Sequence, residues 1–127
     1  PVQGLPGRLM VSAGSNLTPA DWPIVRTRGD SMVPEEFTLT IDGGALTPTS
    51  AIAQVRTARS RSATLVLELS VDLSSNVVTV GDGDDLDDVD PGVYWWDLQV
   101  TNASYPSGLT LISGTFHVLD DVSEVTP

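Results

Sequence analysis

The chain contains no cysteine, no lysine and only one histidine, and it has no apolar run near the roughly 18 residues of a membrane-spanning helix. The missing cysteine excludes disulfide scaffolds, thiolate metal centres and cysteine nucleophiles, so the fold must rest on apolar burial and backbone hydrogen bonds. Positive charge is scarce: 17 acids face 6 bases, every base is an arginine, and the formal net charge is −11. Such a surface repels nucleic acid and anionic membrane, whose phosphates call for clustered Lys and Arg. The N-terminus also lacks the basic-then-apolar layout of a secretory signal.

A length of 127 residues suits one domain with a real core. Residues 1–22 are rich in Gly, Pro, Ser and Asn and read as an N-terminal arm, in which Leu9-Met10-Val11 is short and apolar enough to pair as an edge strand. From residue 23 to about 120, runs of β-prone residues alternate with Gly, Pro, Asp, Asn and Ser clusters, and no segment reads as a long helix. Residues 121–127 form a short acidic tail. In Phe37-Thr38-Leu39-Thr40-Ile41 the apolar side chains fall at every second position and share one face of a strand. Ala51, Ala53 and Val55 repeat that pattern. After the turn Arg59-Ser60-Arg61-Ser62, Leu65, Leu67 and Leu69 complete a hairpin. A short strand at 77–80 leads into an aspartate-rich loop, and long strands follow at 93–101 and about 109–119, with Tyr94, Trp96, Leu98 and Val100 facing inward.

The sharpest local pattern is Asp90-Pro91-Gly92-Val93-Tyr94-Trp95-Trp96. A Pro-Gly turn stands directly before a strand whose first inward residue is tyrosine, as in the tyrosine corner of β-sandwiches, where the phenol hydroxyl reaches back to upstream backbone. The expected fold is therefore all-β, an immunoglobulin-like antiparallel β-sandwich with an extended N-terminal arm.

Taken together, Arg28-Gly29-Asp30, the Phe37 strand, Ala53-Gln54-Val55-Arg56, Pro91 to Thr101 and Ser113-Gly114-Thr115-Phe116-His117-Val118 resemble small bacteriophage virion proteins. They are similar to the immunoglobulin-like N-terminal domain of the siphophage baseplate upper protein, over roughly residues 24–120. The resemblance implies a component of a tail, baseplate or capsid surface, held by contacts with other virion proteins, with no catalytic residues to carry over. The chain departs from that pattern in its long arm and in its aspartate-rich loop.

Several candidate sites stand out. Asp82, Asp84, Asp85, Asp87, Asp88 and Asp90 crowd one loop. Asp82, Asp84, Asp87 and Asp88, with backbone carbonyls, could supply oxygens to Ca²⁺, although the EF-hand spacing is absent and a solvated or partner-facing acidic loop needs no ion. Arg56, Arg59 and Arg61 cluster at the hairpin tip and could meet an acidic loop on a neighbouring copy, giving head-to-tail self-assembly; an ordinary solvated turn is the plainer reading. Trp95 alternates with Tyr94 and Trp96 and should face outward. It is then either an interface residue or is covered by the arm through Trp22. Arg28-Gly29-Asp30 matches a cell-attachment tripeptide, but a Gly-Asp bend explains it equally well. Asn16-Leu17-Thr18 and Asn102-Ala103-Ser104 match glycosylation sequons by spacing alone.

Catalysis has a thin inventory. His117 stands alone on a strand, and there is no Gly-x-Ser-x-Gly elbow, zinc-binding His pair or phosphate loop. The sequence thus leads to a non-enzymatic virion structural protein, multi-copy in its assembly, made in the bacterial cytoplasm and needing no cofactor. The alternative is an immunoglobulin-like binding module for a host-surface carbohydrate or protein.

Overall fold

The computed structural model describes residues 8–13, 19–41 and 44–120. The rest of the arm, including Asn16, and the acidic tail lie outside the described residues.

The described chain is all strand and loop, arranged as two sheets packed face to face. One sheet runs in the order β1 (Arg8–Ala13), β4 (Glu35–Ile41), β9 (Val77–Val80), β8 (Val71–Ser74), with β5 (Gly44–Ala45) paired to the end of β4. The other runs β2 (Ala20–Asp21), β11 (Tyr105–Leu119), β10 (Gly92–Asn102), β6 (Ser50–Arg56), β7 (Leu65–Leu69), with β3 (Ile24–Thr27) also paired to β11. The central pairings are antiparallel. At the margins β1 runs parallel to β4, and β2 and β3 run parallel to β11. The edge strand expected at Leu9-Met10-Val11 is therefore present within β1, opposite Phe37, Thr38 and Leu39.

The period-two pattern fixes which faces meet. Phe37 and Leu39 from β4, Val78 and Val80 from β9, Ala53 and Val55 from β6, Trp96, Leu98 and Val100 from β10, and Ile112, Phe116 and Val118 from β11 are buried between the sheets. Each large apolar side chain so enclosed contributes about 1.5–3 kcal/mol, which is how a chain without disulfides holds together. On β11 the alternation breaks at Leu111 and Ile112, which are both buried. The register slips there from Gln99–Thr110 to Leu98–Ile112, so a bulge absorbs one extra residue.

The hairpin of β6 and β7 forms as the sequence suggests, but Leu65 is exposed, because the register shifts beside Arg56 at the mouth of the turn. Strand β8 was not legible as a separate strand. After β7 the chain passes through Ser70 and changes sheets, its Ser70 amide held by the Asp84 carboxylate at 2.8 Å. The tyrosine corner is present: the Tyr94 hydroxyl donates to the Asp90 carbonyl at 2.6 Å, fastening the acidic loop to the start of β10.

The two sheets are also joined by a buried polar knot. Trp22, between β2 and β3, stacks edge-on against Phe37 and donates its indole N–H to Glu35 at 3.1 Å. The buried Glu35 carboxylate also pairs with Arg26, and Arg26 donates to the Val25 and Val33 carbonyls as well. Trp96 donates to the Trp22 carbonyl at 2.8 Å. Gly114 permits this close approach, since a Cβ there would stand 2.7 Å from the Trp22 carbonyl oxygen. Trp22 thus turns into the space between the sheets and does not cover Trp95.

Candidate functional site

On β6 and β10 the residues that alternate with the core point to the outer face of the second sheet. Gln54 and Arg56 on one strand stand across from Asp97 and Trp95 on the next. Arg56 donates to the Ala63 carbonyl and to the Gln54 side chain, both at 2.8 Å. The first of these bonds ties the turn after β6 to the sheet, and Thr57 N–H to Thr64 carbonyl closes its base. The turn leans over the outer face, bringing the Arg59 guanidinium 4.5 Å from the Trp95 ring centroid in a cation–π contact.

The result is a groove of about 270 Å³ between the turn and β11, with Gln54, Arg56, Arg59, Arg61, Trp95 and Asp97 around it. Farther along, Gln99, Thr110 and Ser113 continue its polar lining. Asp97 has an exposed side chain whose carboxyl is crowded by the groove walls. This partial desolvation pushes its pKa above the ordinary carboxylate value, while Arg56 and Arg61 pull it back down. Neither Arg59 nor Arg61 donates a hydrogen bond to any other described residue.

The structure therefore brings Arg56, Arg59, Arg61 and Trp95 together, and it adds Gln54, Asp97 and Gln99, which sequence reasoning did not assign to the site. The signal was available in part. Outward positions on two neighbouring strands carry Gln, Arg and Asp, as a solvated face does, and the large aromatic Trp95 among them is what sets this face apart.

The aspartate loop is a different kind of structure. Leu86 and Val89 are buried beneath it, and their burial outweighs the repulsion among solvated carboxylates, which water screens to a fraction of a kcal/mol per pair. Asp84 accepts from the Ser70 amide and Asp85 from the Asp87 amide at 2.8 Å each. Gly81, with φ of +82°, lies so close to Met32 that a Cβ would meet its side chain at 2.6 Å. The neighbouring charges of Asp85 and Asp88 push the Asp87 pKa upward, with Arg28 opposing them.

Among the described residues no three carboxylate or imidazole side chains are gathered as a metal-holding group, Asp82, Asp84, Asp87 and Asp88 included. Asp84, which would be central to one, is turned toward Ser70.

The remaining candidates have plain structural roles. Arg28 donates to the Asp87 carbonyl at 3.1 Å, and the Asp30 amide closes a turn on Thr27, so the Arg-Gly-Asp segment braces the acidic loop. Asn102 accepts from the Ser104 and Tyr105 amides within the turn between β10 and β11. His117 stands on the outer face of β11, between Val93 and Val25 of the adjoining strands. Arg56 pairs with Trp95 only three residues into β10, so the arginine turn and the acidic loop occupy the same end of the sandwich. Pairing one with the other across two copies would relate them end to end by a two-fold rather than head to tail.

No protein family and no curated protein matches the sequence. Among solved structures, the chain is similar to the N-terminal domain of phage TP901-1 ORF48, with a TM-score of 0.37 and 10% identity over 91% of this chain and 98% of that one. It is also similar to a family 123 glycoside hydrolase from Clostridium perfringens, with a TM-score of 0.41 and 13% identity, covering 87% of this chain and 25% of that one. Listeria monocytogenes InlP gives a TM-score of 0.37 and 17% identity, covering 78% of this chain and 26% of that one.

Proposed function

We propose that this chain is a non-enzymatic structural protein of a bacteriophage particle, a tail or baseplate component or a capsid decoration protein, acting in several copies through contacts with other virion proteins. The observation that carries this reading is the placement of the residues behind the phage resemblance. The Tyr94-Trp95-Trp96 segment and the Ser113-Gly114-Thr115-Phe116 segment are partners on adjacent strands, with Tyr94 opposite Phe116 and Trp96 opposite Gly114. They form one continuous piece of architecture that also includes the tyrosine corner and the Trp22 knot. An immunoglobulin-like designation fits the way the chain crosses between sheets at that corner. The single histidine, set between valines on an outer face, supports a non-catalytic role.

The test is antibody-gold labelling of intact particles from the source, viewed by electron microscopy. Label at the tail tip is the result expected of a baseplate part, and label on the head that of a decoration protein. Particles that bind no label and contain no such chain by mass spectrometry would overturn the proposal.

A further inference from the structure

The groove beside Trp95 goes beyond a structural role, and its chemistry holds whether or not the chain sits on a particle. In a molecule of net charge −11, three of six arginines meet at this one concavity. Elsewhere Arg26 is paired with Glu35 and Arg28 is tied to the Asp87 carbonyl. Within the groove Asp97 offsets one of the three positive charges, so a local excess of positive charge is left facing solvent.

Arg56 is fixed by its bonds to Ala63 and Gln54, which use two of the five guanidinium N–H groups. Arg59, stacked on the Trp95 ring, and Arg61 donate no hydrogen bond to another described residue, so their N–H groups can turn to a ligand. Such an arrangement suits a planar, singly charged anion such as a carboxylate, whose two oxygens match the arginine fork. The rest of the lining specifies what carries that carboxylate. Gln54, Gln99, Thr110, Ser113 and Asp97 offer amides, hydroxyls and an acceptor carboxylate, which suit a ring bearing hydroxyls, and Trp95 offers an indole for its C–H face.

Two rival occupants fit less well. The backbone of β10 is already paired on both sides, to β6 and β11, so the floor has no main-chain donors or acceptors for an extended peptide. An acidic loop from a second copy would bring that copy's own net charge of −11 against this one. A volume of about 270 Å³ sits at the small end of ligand sites and accommodates about one sugar residue.

We propose that the groove formed by Arg56, Arg59, Arg61, Trp95, Gln54 and Gln99 is a binding site for a carboxylate-bearing sugar residue of the uronic acid class. The guanidinium groups take the carboxylate, the glutamines and Asp97 take ring hydroxyls, and the sugar face rests on Trp95 as Arg59 moves from the ring to the carboxylate.

The experiment is a titration of the ¹⁵N-labelled full chain, followed by NMR, with methyl β-D-glucuronide and separately with methyl β-D-glucoside, which differs only in carrying a hydroxymethyl in place of the carboxylate. The Trp95 indole signal is assigned with Trp95→Phe. The expected result is saturable movement of the Trp95 indole and of the Gln54 and Gln99 side-chain amides with the glucuronide, and binding of the glucoside weaker by roughly tenfold or more. The double substitution Arg59→Gln with Arg61→Gln should weaken glucuronide binding by a similar factor while lowering the thermal midpoint by only about 1–4 °C, the share of the lost Arg59–Trp95 contact, because neither side chain hydrogen-bonds another described residue. Equal binding of the two sugars, or no shift at groove residues up to the solubility limit, would overturn the proposal. So would groove shifts produced by a peptide copying residues 82–90 where the glucuronide produces none, since the site would then serve protein contact.

Discussion

The molecule uses tryptophan, arginine and a carboxylate in two places, and it finishes them differently. Between the sheets, Trp22, Trp96, Arg26 and Glu35 form a nearly closed set, in which Arg26 Nε is the one buried donor without a partner among the described residues. Each indole N–H has an acceptor, and the Glu35 carboxylate receives both Trp22 and Arg26. On the outer face, Trp95, Arg56, Arg59, Arg61 and Asp97 are gathered by the same β10 strand but left open, with two guanidiniums that donate to no other described residue. Only one backbone bond separates Trp95 from Trp96, so the pleat alone sends one to the core and the other to the groove. Nearly all buried polar groups find partners in a folded protein, whereas an exposed set can keep unfilled donors. The difference sets a mostly satisfied inner cluster against an outer one whose Arg59 and Arg61 donors are unfilled among the described residues.

The comparison is tested most severely by removing one member from each side. Trp96→Ala should destabilise the protein by about 3–5 kcal/mol, as expected for deleting a large buried aromatic. Trp95→Ala should change stability by about 1 kcal/mol or less, most of it the contact with Arg59. Urea unfolding of the two variants reads the contrast directly, and similar losses would erase the distinction between the clusters. Glu35→Ala comes next. It leaves Arg26 without its ionic partner and Trp22 without its acceptor, and removing one partner of a buried pair costs about 3–5 kcal/mol. The lower end applies here because the Arg26 side chain retains 20% exposure. Gly114→Ala should cost about 1–3 kcal/mol through overpacking, since its methyl would meet the Trp22 backbone rather than a side chain able to move aside. Near-UV circular dichroism should report the loosened Trp22–Trp96 contact in the same variant.

Much of the inner frame was legible because it rests on local rules. Alternation placed Phe37, Leu39, Trp96, Leu98 and Val100 in the core, and the Pro91-Gly92 turn before Tyr94 announced the corner. The knot was less legible because its bonds join residues far apart. Trp22 lies in a stretch that reads as an arm, and only the indole of Trp96, 74 positions later, shows why its carbonyl turns inward. The parallel pairing of β2 and β3 with β11 is likewise long-range and leaves no trace in periodicity. The groove was half legible. The arginines and Trp95 stood out as candidates, but the lean of the turn over the sheet depends on one hydrogen bond from Arg56 to Ala63, which composition does not reveal. The aspartate loop shows the converse. Its charge was obvious, yet whether its carboxylates converge was decided by the amides of Ser70 and Asp87.

The smaller predictions concern the open side alone. Arg59→Ala removes one exposed cation–π contact and should lower stability by about 0.5–1 kcal/mol; a larger loss would mean that Arg59 supports the fold as Arg26 does. Asp97→Asn separates the clusters by pH. Crowding by the groove walls raises the Asp97 pKa above its ordinary 3.8. The folded state therefore holds this proton more tightly than the unfolded state does, and the ionised carboxylate opposes folding. That penalty is fully present above the raised folded-state value and disappears as pH falls through it toward 3.8. Asparagine cannot ionise, so Asp97→Asn should be slightly more stable than the parent at neutral pH, with the advantage shrinking as the solution is acidified. Paired urea midpoints at pH 7 and near pH 4 measure it. The opposite slope would show Asp97 held as a salt-bridged anion by Arg56 and Arg61, closing the outer cluster as Glu35 closes the inner one.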